Sequence, residues 1–179
     1  MAKKFQINNK KPKWLKQQDN HSCGYYLIHN TQPYLLDSKY EGSPDGIFKK
    51  INELKKSKGE KPLARSANVP STDLSDYLHD KGFKVNPFSN PNHSLATIEE
   101  ILAKKEFDLI YLTSNNHYTG IVKNQTNLMY LDSLTDKPSI ISINETREKI
   151  KASLGQETNG RYNLVGIVTK SPKKFQIDN

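Results

Sequence analysis

The sequence contains a single cysteine, Cys23, in a setting that favours nucleophilic chemistry. The segment from Gln17 to Ser22 is polar and turn-like, and the apolar run after it predicts a helix that begins at Cys23. The N-terminus of a helix favours a thiolate, because its free N–H groups and its dipole stabilise negative charge. A thiolate there could attack a carbonyl carbon, although position alone leaves a structural thiol equally open.

Of the five histidines, His117 is the best candidate for the base. It opens a predicted strand directly after an Asn-Asn turn, and Asp132 closes the next predicted strand. Two antiparallel strands joined by a short turn bring the start of one beside the end of the other. A carboxylate there can accept an imidazole N–H, fix the tautomer and stabilise the imidazolium. The spacing therefore predicts a catalytic triad of Cys23, His117 and Asp132.

The oxyanion of such a reaction needs N–H donors beside the nucleophile. The backbone N–H of Cys23 can supply one donor, and a glutamine side chain just upstream can supply another. Gln17 and Gln18 both stand close before the cysteine, and we favour Gln18. A solvated glutamine is the alternative. A triad of this kind needs no metal and no cofactor, and we predict neither.

Three further residues are candidates for substrate binding. Gly24 has no side chain and lets a substrate backbone approach closely. Trp14 and Tyr118 are candidate walls of a substrate groove, and Trp14 could equally anchor the core. We therefore take these three residues as candidates for binding the substrate.

Hydrophobic periodicity, caps and turns predict the elements that would position these residues. Predicted helices run from Cys23 to near Pro33, over 46–57, from a Ser71 cap to Gly82, from a Thr97–Glu100 capping box through Lys105, and from an Asn144 cap to Leu154. Predicted strands cover 83–88, 107–113, 117–122, 128–132 and 162–169. Helices come first and an antiparallel sheet follows, which predicts an α+β domain. The segment 58–69 is predicted to be a loop, either a substrate lid or an ordinary connector.

Length and charge narrow the classes of function. The 179 residues predict one folded domain, which we place at 14–170 between a basic polar arm over 1–13 and a polar tail over 171–179. A short Lys-Lys-Phe-Gln-Ile segment occurs in both the arm and the tail. The net charge is +8, but the lysines are scattered without interleaved arginines and aromatics, so we expect no nucleic-acid partner.

The expected compartment follows from the cysteine count and the apolar runs. One cysteine cannot form an internal disulfide, and the sequence shows neither a signal peptide nor an apolar run of the ~18 residues that a membrane span needs. We therefore expect a monomer without a membrane span that is cytoplasmic, or a secreted effector that acts in a host cytosol.

The order Gln, Cys, His, Asp resembles the papain-like cysteine peptidase superfamily. Within it the sequence looks most similar to the Josephin-type deubiquitinases, which place a Gln before the nucleophile as Gln18 stands before Cys23. They also carry a strand-borne His with an aromatic neighbour, like His117-Tyr118, and a string similar to Tyr130-Leu131-Asp132-Ser133-Leu134. Asp132 stands where that family usually has Asn. The resemblance implies a papain-like fold, with N-terminal helices packed on an antiparallel sheet, and ubiquitin or a ubiquitin-like protein as the partner, cleaved after its Gly-Gly end.

The sequence is also similar to the bacterial double-glycine leader peptidases. Their Gln-x-Asp-x-x-Asp-Cys-Gly pattern matches Gln17, Asp19, Cys23 and Gly24. Those enzymes also cut after Gly-Gly, so both resemblances imply a narrow groove that admits two glycines. Ser133-Leu134 favours the deubiquitinase side, because double-glycine peptidases usually have Pro after the Asp. Two rivals stay open, namely another acyl-transfer enzyme such as a deamidase, transglutaminase or acetyltransferase, and a non-catalytic ubiquitin-binding module.

Overall fold

The computed structural model describes residues 13–35, 43–114, 116–154, 157–158 and 161–171. The helices are α1 (Cys23–Thr31), α2 (Pro44–Ser57), α3 (Ser71–Asp80), α4 (Pro91–Lys104) and α5 (Ile143–Ser153), with a short 3-10 helix at Gln32–Tyr34. The strands are β1 (Phe83–Phe88), β2 (Leu109–Ser114), β3 (His117–Asn124), β4 (Asn127–Leu131), β5 (Ser139–Ile141), β6 (Glu157–Thr158), β7 (Arg161–Tyr162) and β8 (Val165–Lys170). Apart from their innermost residues, the predicted arm and tail lie outside the described residues.

Six of these strands form one antiparallel sheet in the order β1-β8-β2-β3-β4-β5. The chain adds β2, β3, β4 and β5 as successive neighbours, and then returns to place β8 between β1 and β2. The predicted α+β class is confirmed. The β2–β3–β4 meander holds the predicted base and its carboxylate in one region.

The sheet is covered on both faces. Residues of α1, α2 and α3 pack on one face, and residues of α4 and α5 pack on the other. Along β2, Leu109 and Tyr111 enter the first cluster, whereas Ile110 and Leu112 enter the second. This burial on both faces explains why β2 reads as an unbroken apolar run and not as an alternating one.

Three predicted helix caps are wrong, because Ser71 is the first residue of α3, whose N-cap is Pro70, and two other caps are displaced further. The predicted capping box at Thr97 lies in the middle of α4, which begins at Pro91 after an Asn90 cap whose side chain accepts from the Asn92 N–H. Proline suits the first turn of a helix and asparagine suits its cap, so Asn90-Pro91 is the stronger start signal. Helix α5 is capped by Ser142, which shares a capping box with Glu145, and not by Asn144.

The strands β1 and β5 form the two edges of the sheet. Pro87 lies within β1 and is compatible with it, because a proline without an N–H is tolerated on an edge strand. The short strand β5 was not predicted, since three residues are too few for a clear alternation. Among the described residues, no helix is long and apolar enough to cross a membrane.

Candidate active site

Cys23 is the first residue of α1 and is almost fully buried, with 1% of its surface exposed. Its thiol donates to the backbone carbonyl of Asn116, at 3.5 Å from Sγ to O. Asn116 lies in the tight turn between β2 and β3, where Ser114 pairs with His117. Its φ of 60° is left-handed, a conformation that asparagine tolerates better than most residues. The turn therefore brings the first residue of β3 next to the first residue of α1.

The His117 side chain lies between the other two members of the predicted triad. Its Nε2 is 2.8 Å from Oδ1 of Asp132, which follows directly after β4. The His117 side chain also interacts with that of Cys23, and this interaction helps to raise the pKa of His117. Three residues far apart in the sequence thus meet in the order thiol, imidazole, carboxylate. Their catalytic role stays a prediction.

The contact with Asp132 stabilises the protonated form of His117. The hydrogen bond to Asp132, followed by the one to Cys23, raises the pKa of His117 to about 9. In turn, the His117 hydrogen bond lowers the pKa of Asp132, and the Leu134 N–H adds a bond at 3.0 Å to the same oxygen. At neutral pH the pair is therefore an imidazolium and a carboxylate.

The turn before the nucleophile is organised by Asp19. Its Oδ1 accepts from the N–H groups of His21 and Ser22 at 3.0 and 2.7 Å, and its Oδ2 accepts from the Ser22 hydroxyl at 2.7 Å. Partial burial raises the pKa of Asp19, but these hydrogen bonds outweigh it and hold the pKa below its usual value. The Ser22 hydroxyl makes no capping bond to α1, although Ser22 is its N-cap residue. The side chains of this turn therefore leave the first N–H groups of α1 available near Cys23.

The two candidate glutamines lie in different environments. Gln18, which the sequence favoured, is exposed, and its Nε2 donates to the carbonyl of Lys16. Gln17 is buried and joined to Ser133, because its N–H donates to the Ser133 carbonyl and its Oε1 accepts from the Ser133 hydroxyl, both at 2.7 Å. One N–H of the Gln17 amide donates to the Asp19 carbonyl at 2.6 Å. The structure thus ties Gln17, and not Gln18, to the residue that follows Asp132.

The structure places Gly24 and Tyr118 in the core and not along a substrate groove. A Cβ at Gly24 would lie 2.1 Å from Cγ1 of Val69, so the missing side chain makes room for Val69. Tyr118 is 5% exposed, and its hydroxyl donates to the Val69 carbonyl at 2.9 Å. Trp14 is half-buried, and its Nε1 donates to the carbonyl of Thr135. Both predicted groove positions are therefore corrected, and Trp14 braces the loop after Asp132.

A cleft that the sequence did not predict opens beside the His117–Asp132 pair. It measures about 400 Å³ and is lined in part by Tyr130, Leu134 and Lys149. The ammonium of Lys149 lies 3.9 Å from the centre of the Tyr130 ring, and Leu134 is half exposed. Lys149 lies on α5, which no motif links to the catalytic residues, so the sequence carries no signal for this lining.

The arrangement can perform nucleophilic acyl transfer, because a thiol, a base with a fixed tautomer and an orienting carboxylate lie in contact. The sequence signal that identifies Gln17 and Asp19 is their spacing before Cys23, which is that of the double-glycine peptidase pattern. No known family model matches this sequence, and no curated protein matches it either.

Proposed function

We propose that this protein is a cysteine-dependent hydrolase with a papain-like fold, which cleaves a peptide or isopeptide bond after the Gly-Gly end of ubiquitin or a ubiquitin-like protein. The observation that carries the proposal is the contact of His117 with both Cys23 and Asp132. A half-buried histidine between a thiol and a carboxylate is costly to build for packing alone, because its polar atoms must be satisfied as they lose water.

The reaction starts from a Cys23 thiolate paired with the His117 imidazolium, which already holds the proton at neutral pH. The thiolate then attacks the carbonyl carbon, and the carbonyl π electrons move to the oxygen to give a tetrahedral oxyanion. As the C–N bond breaks, His117 gives its proton to the leaving amine and a thioester remains on Cys23. Water, deprotonated by His117, hydrolyses the thioester and restores the thiol. Asp132 keeps the ring aligned and stabilises the imidazolium throughout.

The oxyanion is stabilised by the Cys23 N–H and by the Gln17 side-chain amide, whose nitrogen donates to the Asp19 carbonyl at 2.6 Å and lies 3.5 Å from Asp19 Oδ1. This role passes from Gln18 to Gln17 because Gln17 is buried and held by Ser133, so its amide is fixed before substrate arrives. A donor of this kind contributes roughly 3 kcal/mol to lowering the barrier.

The burial of the thiol supports a substrate with small residues at the scissile bond. With 1% of Cys23 exposed, little room is left at the thiol for side chains next to the carbonyl of a substrate. Two glycines have no Cβ atoms and approach most closely. A Gly-Gly end therefore fits this thiol better than a bulky sequence does.

One observation favours a second candidate, a peptidase that removes leader segments after a double glycine. The buried Gln17 and the turn-forming Asp19 are two of the four residues that match the pattern of those enzymes. Both candidates share the triad and the Gly-Gly requirement, and they differ in whether the glycines end a folded ubiquitin-like domain or a leader peptide.

The decisive experiment is incubation with ubiquitin carrying a C-terminal vinyl electrophile, together with a panel of ubiquitin dimers, ubiquitin-like precursors and a double-glycine leader peptide. We expect a covalent adduct on Cys23 and cleavage of one substrate class, both lost in Cys23→Ala and His117→Ala. His79→Ala is the matched control, because His79 is exposed at the end of α3 and should react as wild type. Cleavage by Cys23→Ala at the wild-type rate contradicts the proposal.

The same panel separates the rivals. A deamidase releases ammonia from a glutamine side chain and leaves the dimers intact. A binding module retains ubiquitin without forming an adduct. Either result replaces cleavage of a peptide or isopeptide bond as the function.

A further inference from the structure

The segment that connects α2 and α3 packs against the turn that carries the nucleophile. Its Leu63 N–H and carbonyl both bond to the side-chain amide of Asn52 on α2, at 2.7 and 3.3 Å. A tight turn follows, closed by the bond from Ala67 N–H to the Ala64 carbonyl. Val69 then fills the space beside Gly24. The connector is therefore ordered by contacts at its middle and its end.

Arg65 lies inside that tight turn and reaches the residue before Cys23. Its Nη1 donates to the Ser22 hydroxyl at 2.9 Å, and its Nη2 donates to Oδ1 of Asp45 at 2.8 Å. The guanidinium carbon lies 5.6 Å from the centre of the Tyr25 ring and 5.3 Å from that of the Phe48 ring. Stacking on two aromatic rings and donation to two acceptors fix the planar group in one orientation.

These contacts determine what the Ser22 hydroxyl does. It accepts from Arg65 and donates to Asp19 Oδ2, so its oxygen is directed away from the N–H groups of α1. A serine at an N-cap position usually accepts from those N–H groups. Arg65 thus engages the Ser22 hydroxyl oxygen, which would otherwise compete with an anion for the first N–H groups of α1.

We propose that Arg65 is a positioning residue for Cys23, acting through Ser22. It holds the Ser22 hydroxyl away from α1, which leaves the first N–H groups of the helix free for the thiolate and the oxyanion. The inference deepens the proposed function and rests on the part of it that makes Cys23 the nucleophile.

Several other charged or titratable groups surround the nucleophile. Asp19 and His21 lie on the turn before it, Asp45 lies on α2, and His117 and Asp132 lie on the side of the sheet. Each of these groups is retained in every variant below, so differences among the variants report on Arg65 and Ser22.

The test is the rate at which iodoacetamide alkylates Cys23 between pH 5 and 10, measured by mass spectrometry on the native protein. The chain has one cysteine, so the reading is unambiguous. We expect Arg65→Gln to lower the rate at pH 7 by about tenfold and to move the profile to higher pH, since a charged hydrogen bond is lost. Arg147→Gln is the matched control, because Arg147 also donates to two side chains, Glu99 and Asn144. The control should match wild type.

A double-mutant cycle tests the route through Ser22. In a Ser22→Ala background, we expect Arg65→Gln to have less than half of its effect on the alkylation rate. If Arg65→Gln does not fold, Arg65→Lys replaces it, and we expect about a threefold loss because one ammonium cannot reproduce the fork. A wild-type profile in Arg65→Gln or Arg65→Lys, or an undiminished effect in the Ser22→Ala background, overturns the proposal.

This test is independent of the substrate. A reactive Cys23 that depends on Arg65, in a protein that cleaves none of the ubiquitin or leader substrates, supports Arg65 and contradicts the proposed hydrolase. If cleavage requires Cys23 but alkylation is unaffected by Arg65→Gln, the result supports the proposed hydrolase and contradicts the role of Arg65.

Discussion

The imidazole of His117 owes its charge at neutral pH mainly to the Asp132 carboxylate, with a smaller contribution from Cys23. Asp132→Asn keeps an oxygen as acceptor but removes the negative charge. We expect the titration midpoint of His117, measured by NMR of the ring nitrogens, to lie near 9 in wild type and to fall toward 6.5 in the variant. An unchanged midpoint would show that Asp132 is not the source of the shift.

The same pair makes a prediction about stability and pH. The folded pKa of His117 is raised, so its contribution is complete below about 6.5 and is lost as the pH rises through about 9. The folded pKa of Asp132 is lowered, so its contribution is present above its usual value and is lost as the pH falls through the folded value. Thermal unfolding should therefore separate wild type from Asp132→Asn most at pH 5 to 6 and least above pH 9.

Asn116 links backbone conformation to the thiol. Its φ of 60° should be tolerated by glycine, whereas Asn116→Val should lower the free energy of unfolding by roughly 1–2 kcal/mol. Gln125→Val is the control, because Gln125 has a φ of 56° in the turn between β3 and β4. Calorimetry should show both losses, but only Asn116→Val should also change the alkylation rate of Cys23. Equal alkylation rates in the two variants would mean that the conformation of Asn116 does not influence the Cys23 thiol.

At this scale the sequence predicts the triad members but not the glutamine. Cys23, His117 and Asp132 each lie at the start or end of a helix or strand, and turn residues and hydrophobic periodicity reveal these boundaries in the sequence. Gln17 and Gln18 are adjacent and chemically identical, and only the contact with Ser133 decides which one is buried. That contact joins segments more than a hundred residues apart, and local pattern carries no information about it.

Helix α1 packs against the connector through a contact that admits no extra atom. Gly24→Ala would place a Cβ 2.1 Å from Cγ1 of Val69, and we expect it to destabilise the protein by roughly 1–3 kcal/mol. Val69→Ala removes the colliding methyl groups. The double variant should therefore recover part of the loss in chemical denaturation. Additive losses would mean that the two side chains do not compete for this space.

The elements themselves were predictable to different degrees. The strand at 83–88 and the helix from Cys23 have clear boundaries in the sequence, and the structure reproduces them. Helix α4 was misplaced because Thr97 and Glu100 have capping-box spacing inside an already formed helix. The prediction that Gly24 and Tyr118 line a substrate groove was wrong for another reason. A glycine or an aromatic residue next to the candidate nucleophile can serve core packing as readily as substrate binding.

The molecule has two hydrophobic clusters that share one sheet. Leu109 and Ile110 are neighbours on β2 and enter different clusters, so we expect both cores to unfold together. Leu109→Ala and Ile110→Ala should each cost about 2–5 kcal/mol. Circular dichroism and the fluorescence of Trp14, the only tryptophan, should give one coincident transition in both variants. Separate transitions would indicate two folding units.

The length of the turn between β2 and β3 determines which face of the sheet each residue of β3 occupies. Ser114 pairs with His117 across it, Tyr118 enters the core around α1, and His117 lines the cleft on the other face of the sheet. One inserted residue would exchange the two faces, sending the phenol toward Asp132 and the imidazole into the core. A change in the length of this turn should therefore move the His117 ring away from Asp132 and disrupt the candidate site.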